Sequence, residues 1–184
     1  MPIHHASRSV RHESTAGFTL IEVMVVLSIL AILATIAAPS FQTTLDRQRV
    51  ATVASDLHAS VVLARVEAIR RNLRIDLVPT DGKNWAGGWE VRRPANAGQA
   101  AEVIYFRAAA PAGVVVAQDL RPTNEVSLSY DGTGRSRLAG NPAIQRSGEW
   151  VVSVPGRPTA PTRKVVVNKL GRPSVCDPAQ APSC

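Results

Sequence analysis

A run of 21 residues, 18–38, carries a single charge, Glu22. At 1.5 Å per helical residue it reaches about 30 Å, the thickness of a bilayer's hydrocarbon core. It can therefore cross a membrane as one helix, and whatever follows must fold to one side. A carboxylate in such a segment costs roughly 2.5–3.5 kcal/mol on insertion scales and is retained where it meets a partner. Glu22 thus calls for a cation that the apolar run does not contain. An ordinary signal anchor with an incidental glutamate is the plainer alternative. A cleaved secretory signal fits less well, because its apolar core would span about 7–15 residues and end at a small-residue cleavage site.

The residues before the run include Arg8 and Arg11, and basic residues flanking a first span stay in the cytoplasm. The remainder of the chain is then expected outside. His4, His5 and His12 lie in the same leading stretch. Beyond Pro39, Val50, Val53, Leu57, Val61, Ala64 and Ala68 recur at spacings of three and four, which predicts an amphipathic helix with one apolar stripe. The two halves read as one long helix with a bend or loosening at Pro39, which lacks an amide donor. From Leu73 onward the pattern shifts to short β-type runs between Gly, Pro, Asp and Asn: residues 74–78, 89–92, 103–107, 114–117, 126–130, 150–154 and 164–167. Residues 126–130 and 150–154 alternate apolar residues with serine, as a half-exposed sheet requires. Asp131-Gly132-Thr133-Gly134 reads as a hairpin turn, and residues 155–161 as a Pro-rich loop before the last strand.

Gly17-Phe18-Thr19-Leu20-Ile21-Glu22 resembles the prepilin signal of the type IV pilin and type II secretion pseudopilin superfamily: a short basic leader ending in Gly, then Phe-Thr-Leu-Ile-Glu and an apolar helix. Further along, Ala64-Arg65-Val66-Glu67-Ala68-Ile69-Arg70-Arg71-Asn72, Trp85-Ala86-Gly87-Gly88-Trp89-Glu90-Val91, and Val165-Val166-Val167 with Gly171-Arg172 are similar to the GspH/FimT branch of minor pilins. The resemblance implies an α+β, pilin-like fold with a long N-terminal helix packed on an antiparallel β-sheet head. The segments would be a prepilin leader (1–17), a transmembrane or filament-core helix (18–38), an amphipathic helix (39–72), the β head (73–175) and a C-terminal cysteine loop (176–184). It also implies cleavage by a prepilin peptidase between Gly17 and Phe18 and N-methylation of Phe18. The new ammonium of Phe18 would be the cation that Glu22 requires, supplied by a neighbouring subunit. The partners implied are other pilins or pseudopilins in a helical filament, the peptidase and the bacterial inner membrane, with the head in the periplasm. The role implied is a structural subunit that helps initiate or tip a type IV pilus or a secretion pseudopilus.

The cysteines, Cys176 and Cys184, sit in the last nine residues. In an oxidising compartment a disulfide is their expected state, with two free thiols as the alternative. The formal net charge is +7, and removal of Arg8, Arg11 and Glu13 with the leader leaves +6. A basic head suits a polyanion or an acidic partner, and equally a plain solvated surface. The FimT-like branch implies DNA binding through a C-terminal Gly-Arg-x-Arg motif. Here that place reads Gly171-Arg172-Pro173-Ser174 and lacks the second arginine, while Gly134-Arg135-Ser136-Arg137 matches the pattern in a hairpin. Arg135, Arg137, Arg163, Lys164, Lys169 and Arg172 are the candidate DNA contacts. Catalysis finds no support, since His58 is the sole histidine beyond the leader and lies on the helix. Two tail cysteines and a distant histidine make no tetrahedral metal set, and no Gly-rich phosphate loop joins a strand to a helix. The chain reads as a non-enzyme without a cofactor. Trp85 and Trp89 have a packing role between helix and sheet, with Gly87 and Gly88 allowing a tight turn.

Overall fold

The computed structural model describes residues 17–181 apart from 97, 124 and 157–160, and for residues 36–39 it describes the backbone alone. The leader up to residue 16 lies outside the described residues. One helix, α1 (Leu20–Arg71), passes through two compact units, Met1–Ser40 and Phe41–Cys184. The bend expected at Pro39 falls where side chains are not described. The helix stops at Arg71 because Asn72 turns into the left-handed region (φ 51°) and the two following amides bond back into the last turn. Asn72 N donates to the Ile69 carbonyl and Leu73 N to the Ala68 carbonyl, the double closure of a Schellman stop.

Among the described residues the head has ten antiparallel strands in two sheets. The six-stranded sheet orders β1 (Ile75–Pro79), β2 (Trp89–Arg93), β3 (Glu102–Arg107), β5 (Leu128–Tyr130), β6 (Ser136–Leu138) and β7 (Asn141–Gln145) as β3-β2-β1-β5-β6-β7. The four-stranded sheet orders β4 (Val115–Arg121), β8 (Ser147–Ser153), β9 (Thr162–Val167) and β10 (Pro173–Cys176) as β10-β9-β8-β4. Every residue of the expected helical stripe is fully buried, and it joins Ile75, Leu77, Trp89, Trp150, Val152 and Val165 from both sheets in one core. The α+β, pilin-like arrangement expected from the sequence is the one observed.

Three strands escaped the sequence reading. β7 carries Pro142 and is exposed along nearly its whole length, and β10 opens on Pro173. Both are edge strands, where a missing amide donor is tolerated and burial imposes no alternation. β6 is three residues long. The Pro-rich loop therefore precedes the penultimate strand, and Cys176 closes β10 opposite Lys164 instead of opening a separate loop. Ser129 was expected on a solvated face but is fully buried, on β5 between Asp76 of β1, itself buried, and Arg137 of β6. The alternation holds in β8, where Trp150 and Val152 are buried and Val151 and Ser153 are half-buried.

Trp85, Trp89 and Trp150 pack as a cluster, with ring centroids 6.4 Å and 5.2 Å apart for the pairs that include Trp85. Trp85 sits in a short 3-10 turn, Trp85–Gly87, and its indole donates to Gln118 Oε1. The indole of Trp89 donates to Ser60 Oγ on the helix at 2.8 Å. Arg107 lies over the Trp89 ring at 5.1 Å and bonds Asp56 of the helix at 3.0 Å, so one arginine ties β3 to α1. Gly88 is required between the tryptophans: its φ is 105°, and a Cβ there would stand 2.5 Å from the Arg107 carbonyl oxygen. The packing role expected of Trp85 and Trp89 is what these contacts describe.

Candidate functional site

In the N-terminal unit, residues 17–35 are exposed throughout. Thr19 caps α1, its Oγ1 accepting from Glu22 N at 3.3 Å and its carbonyl from Val23 N at 3.2 Å. Thr19 and Glu22 have the Thr-x-x-Glu spacing of a capping box, a signal that the sequence itself carries. Phe18 precedes the helix, four residues before Glu22, and is 83% exposed. Ile21, Met24, Leu27, Ile29, Leu30 and Leu33 are all exposed too, so this helix is apolar on every side. Its hydroxyls need no water: Ser28 Oγ donates to the Met24 carbonyl at 2.8 Å and Thr35 Oγ1 to the Ile32 carbonyl at 2.7 Å. Among the described residues no single helix is long and apolar enough to cross a membrane, while Leu20–Thr35 and Ser40–Arg71 meet that requirement together.

The six candidate DNA contacts divide into two groups. Arg137 bonds Asp131 at 2.6 Å, Lys164 bonds Glu149 at 2.9 Å, and Arg163 is paired with Asp177. Burial would raise the Asp131 carboxyl, but hydrogen bonds from Thr133, Arg137 and the Arg135 amide outweigh it and hold the group below its ordinary range. Asp177 is likewise held low, first by the Ala179 amide and then by Arg163. Those three cations are already neutralised by neighbours. Arg135, Lys169 and Arg172 are exposed and have no acidic partner among the described residues.

The fold brings the two Gly-Arg turns together. Asp131 closes the β5–β6 turn by accepting from the amides of Thr133 and Arg135. Asn168 closes the β9–β10 turn by accepting from the amides of Leu170 and Arg172. Gly171 (φ 76°) fits so tightly that a Cβ there would lie 2.8 Å from the Gly134 carbonyl oxygen and 2.9 Å from Ser136 N. The Tyr130 hydroxyl donates to the Gly171 carbonyl at 2.9 Å, and burial pushes that hydroxyl well above its usual range. Arg65 joins this place from the helix, since its Nε is 3.2 Å from where a Cβ of Gly134 would stand. That nitrogen is buried and has no hydrogen-bond partner. Sequence reasoning missed Arg65, for no local pattern links a helix residue to a hairpin seventy positions later.

Cys176 is half-buried and Cys184 lies outside the described residues; no free cysteine occurs among those described. His58 is half-buried on α1, and no three His, Cys, Asp or Glu side chains among the described residues gather where they could hold a metal.

Two family models match: the prokaryotic N-terminal methylation motif over residues 14–38, and the type II transport protein GspH over residues 53–171. No curated protein is similar enough to count as a relative. Among solved structures, the Pseudomonas aeruginosa (strain PAO1) type IV minor pilin FimU in space group P21 is similar, with a TM-score of 0.56 and 18% identity over 72% of this chain and 92% of that one. The same pilin in space group P65 gives 0.52 and 17%, over 70% and 93% of the two chains. At that identity the likeness shows the fold. The GspH model covers most of the head and its supporting helix, and the methylation motif covers the exposed helix start before it. The chain belongs to the GspH family of pilin-like subunits, which are structural components of filaments and not enzymes.

Proposed function

We propose that this chain is a minor pilin or pseudopilin that helps initiate or tip its filament, after cleavage between Gly17 and Phe18 and N-methylation of Phe18. It waits in the bacterial inner membrane as a single-pass protein with a periplasmic head. On leaving the bilayer, Glu22 of one subunit compensates the Phe18 ammonium of its neighbour. The observation that carries this reading is the helix start: Leu20–Thr35 exposes apolar side chains on every face, and its sole carboxylate lies four residues after Phe18. A helix apolar all round needs lipid or other apolar helices about it. A buried ion pair breaks even only when both charges are satisfied, so this one sets subunit register more than it adds stability.

The test is mass spectrometry of the membrane-extracted protein. A chain beginning at Phe18 with one extra methyl group is expected, and an intact Met1 terminus in cells with active prepilin peptidase would reject the reading. The same measurement under non-reducing conditions is expected to find Cys176 joined to Cys184, which in the chain-entropy model would pin the tail by roughly 2–3 kcal/mol.

A second reading, DNA binding by the head, is favoured by one observation: Arg135 and Arg172 stand on adjoining turns without acidic partners among the described residues. The Gly134-Arg135 and Gly171-Arg172 sequences thereby act as one surface, though they are distant in the chain. Phosphate binding needs several such contacts to matter, and the aromatic side chain at these turns, Tyr130, is fully buried and not open to stack a base.

A further inference from the structure

The β5–β6 turn does not stand free of the helix. Arg65, Ile69 and Asn72 follow one another at spacings of four and three along the end of α1, so they share one face. That face seats the turn: a Cβ at Gly134 would stand 2.6 Å from Ile69 Cδ1 and 3.2 Å from Arg65 Nε, and one at Gly132 would meet the Asn72 side chain. Two glycines are what this row of helix side chains leaves room for. The Arg65 side chain is divided between two surroundings. Its Nε is buried with no acceptor, whereas its two terminal nitrogens are not among the buried unpaired atoms and bond to no described residue. The next arginines along the helix differ, for Arg70 and Arg71 share Glu67 at 2.7 Å and 2.6 Å. Arg65 has no such carboxylate among the described residues.

We infer that Arg65 makes a phosphate contact of its own, extending the nucleic-acid surface of the two Gly-Arg turns onto α1, an inference that rests on the DNA-binding reading above. The packed turn holds the stem of the side chain before any ligand arrives, which lowers the ordering cost that a long cation on an open surface meets on binding. The tip keeps the planar fork that matches two phosphate oxygens. Arg65, Arg135, Lys169 and Arg172 then offer four cations without acidic partners among the described residues, from α1 and from two turns distant in the chain. The carboxylate of the β5–β6 turn, Asp131, is engaged by Arg137 and by the amides of Thr133 and Arg135. Because Tyr130 is buried and offers no stacking face, the class of ligand is the phosphodiester backbone of a duplex.

The test uses the full-length chain in a neutral detergent, titrated with duplex DNA over a range of salt. Arg65→Gln, which removes the charge, is expected to flatten the log–log slope by about one unit, and Arg65→Lys to leave it within about half a unit of the unaltered chain. A second measurement needs no variant and decides the matter if Arg65→Gln does not fold. In the unaltered chain an arginine-specific dicarbonyl, mapped by mass spectrometry, is expected to modify Arg65 and to be blocked there by duplex DNA. Arg65 that resists the reagent without DNA, or reacts equally with and without it, would overturn the inference. So would a slope unchanged by Arg65→Gln, or one flattened equally by Gln and Lys, the mark of a side chain that only props the turn. In those cases the DNA-binding reading stands if Arg135→Ala and Arg172→Ala each flatten the slope. An unaltered chain that binds no duplex at low salt overturns both the inference and that reading.

Discussion

Along one helix, the apolar residues of two stretches meet opposite fates. Val50, Val53, Leu57 and Val61 are fully buried, whereas Val23, Val25, Leu27 and Leu30 are each about half exposed. The difference lies in what surrounds the apolar residues. In the first stretch they occupy one stripe, with Asp56 and Ser60 beside it to bond Arg107 and Trp89 of the sheet, so the chain itself supplies the cover. In the second they occupy all sides, and no stripe of a single head could cover them. The first stretch thus folds onto its own head, whereas a helix apolar on all sides needs lipid or other apolar helices about it.

Removing Glu22 strikes the comparison hardest. If its carboxylate meets a Phe18 ammonium in an apolar setting, Glu22→Ala strands the ammonium, a loss of about 3–5 kcal/mol for a buried pair. Filament incorporation is expected to fall by at least a hundredfold, with insertion into the membrane unchanged or improved and the head's unfolding midpoint unmoved. Incorporation equal to that of the unaltered chain would leave the carboxylate without a function in the exposed segment.

Matched truncations sharpen the same contrast. Leu57→Ala opens a cavity in the core and is expected to cost about 2–5 kcal/mol in denaturant unfolding of the head. Val25→Ala shortens a half-exposed side chain outside the unit that holds the head, and less than about 0.5 kcal/mol is expected in the same measurement. Comparable losses for the two would mean that the N-terminal segment contributes to the head's stability.

The parts of this molecule that could be read from sequence are those where one local pattern answers to one physical demand. Burial of Val50, Leu57 and Ala64 on a single face demands the three-four spacing, and the spacing is there. β2, β8 and β9 face the core from inside a sheet or beside its centre, and their alternation or Val-rich runs announce them. β7 and β10, with Pro142 and Pro173 at exposed edges, face no such demand. Ser129 was misplaced because a serine in an alternating run gives no sign that the second face is also covered. The basic surface was legible as a list of charges and not as a site. Whether Arg163 is free depends on Asp177, fourteen residues later, and the meeting of the Gly134 and Gly171 turns depends on Tyr130 reaching the Gly171 carbonyl.

The weakest effect expected concerns the head surface of Arg135, Lys169 and Arg172, and it asks whether the head, too, keeps a face for a partner. A soluble form beginning at Phe41 is titrated with duplex DNA over a range of salt. Each phosphate contact contributes about −0.9 to the log–log slope, so Arg135, Lys169 and Arg172 together give about −3. Single changes of Arg135 or Arg172 to Ala are each expected to flatten the slope by about one unit. Changing Arg137, Arg163 or Lys164 is expected to leave it within about half a unit, because those side chains are held by Asp131, Asp177 and Glu149 and have little net charge to offer. A sequence alone, treating all six cations alike, would assign Arg137 the same weight as Arg135. If the paired residues flatten the slope as much as the unpaired ones, the ion pairs open on binding and the division drawn from the geometry fails. If no binding is measurable at low salt, the head keeps no face for DNA and assembly is the whole of its function.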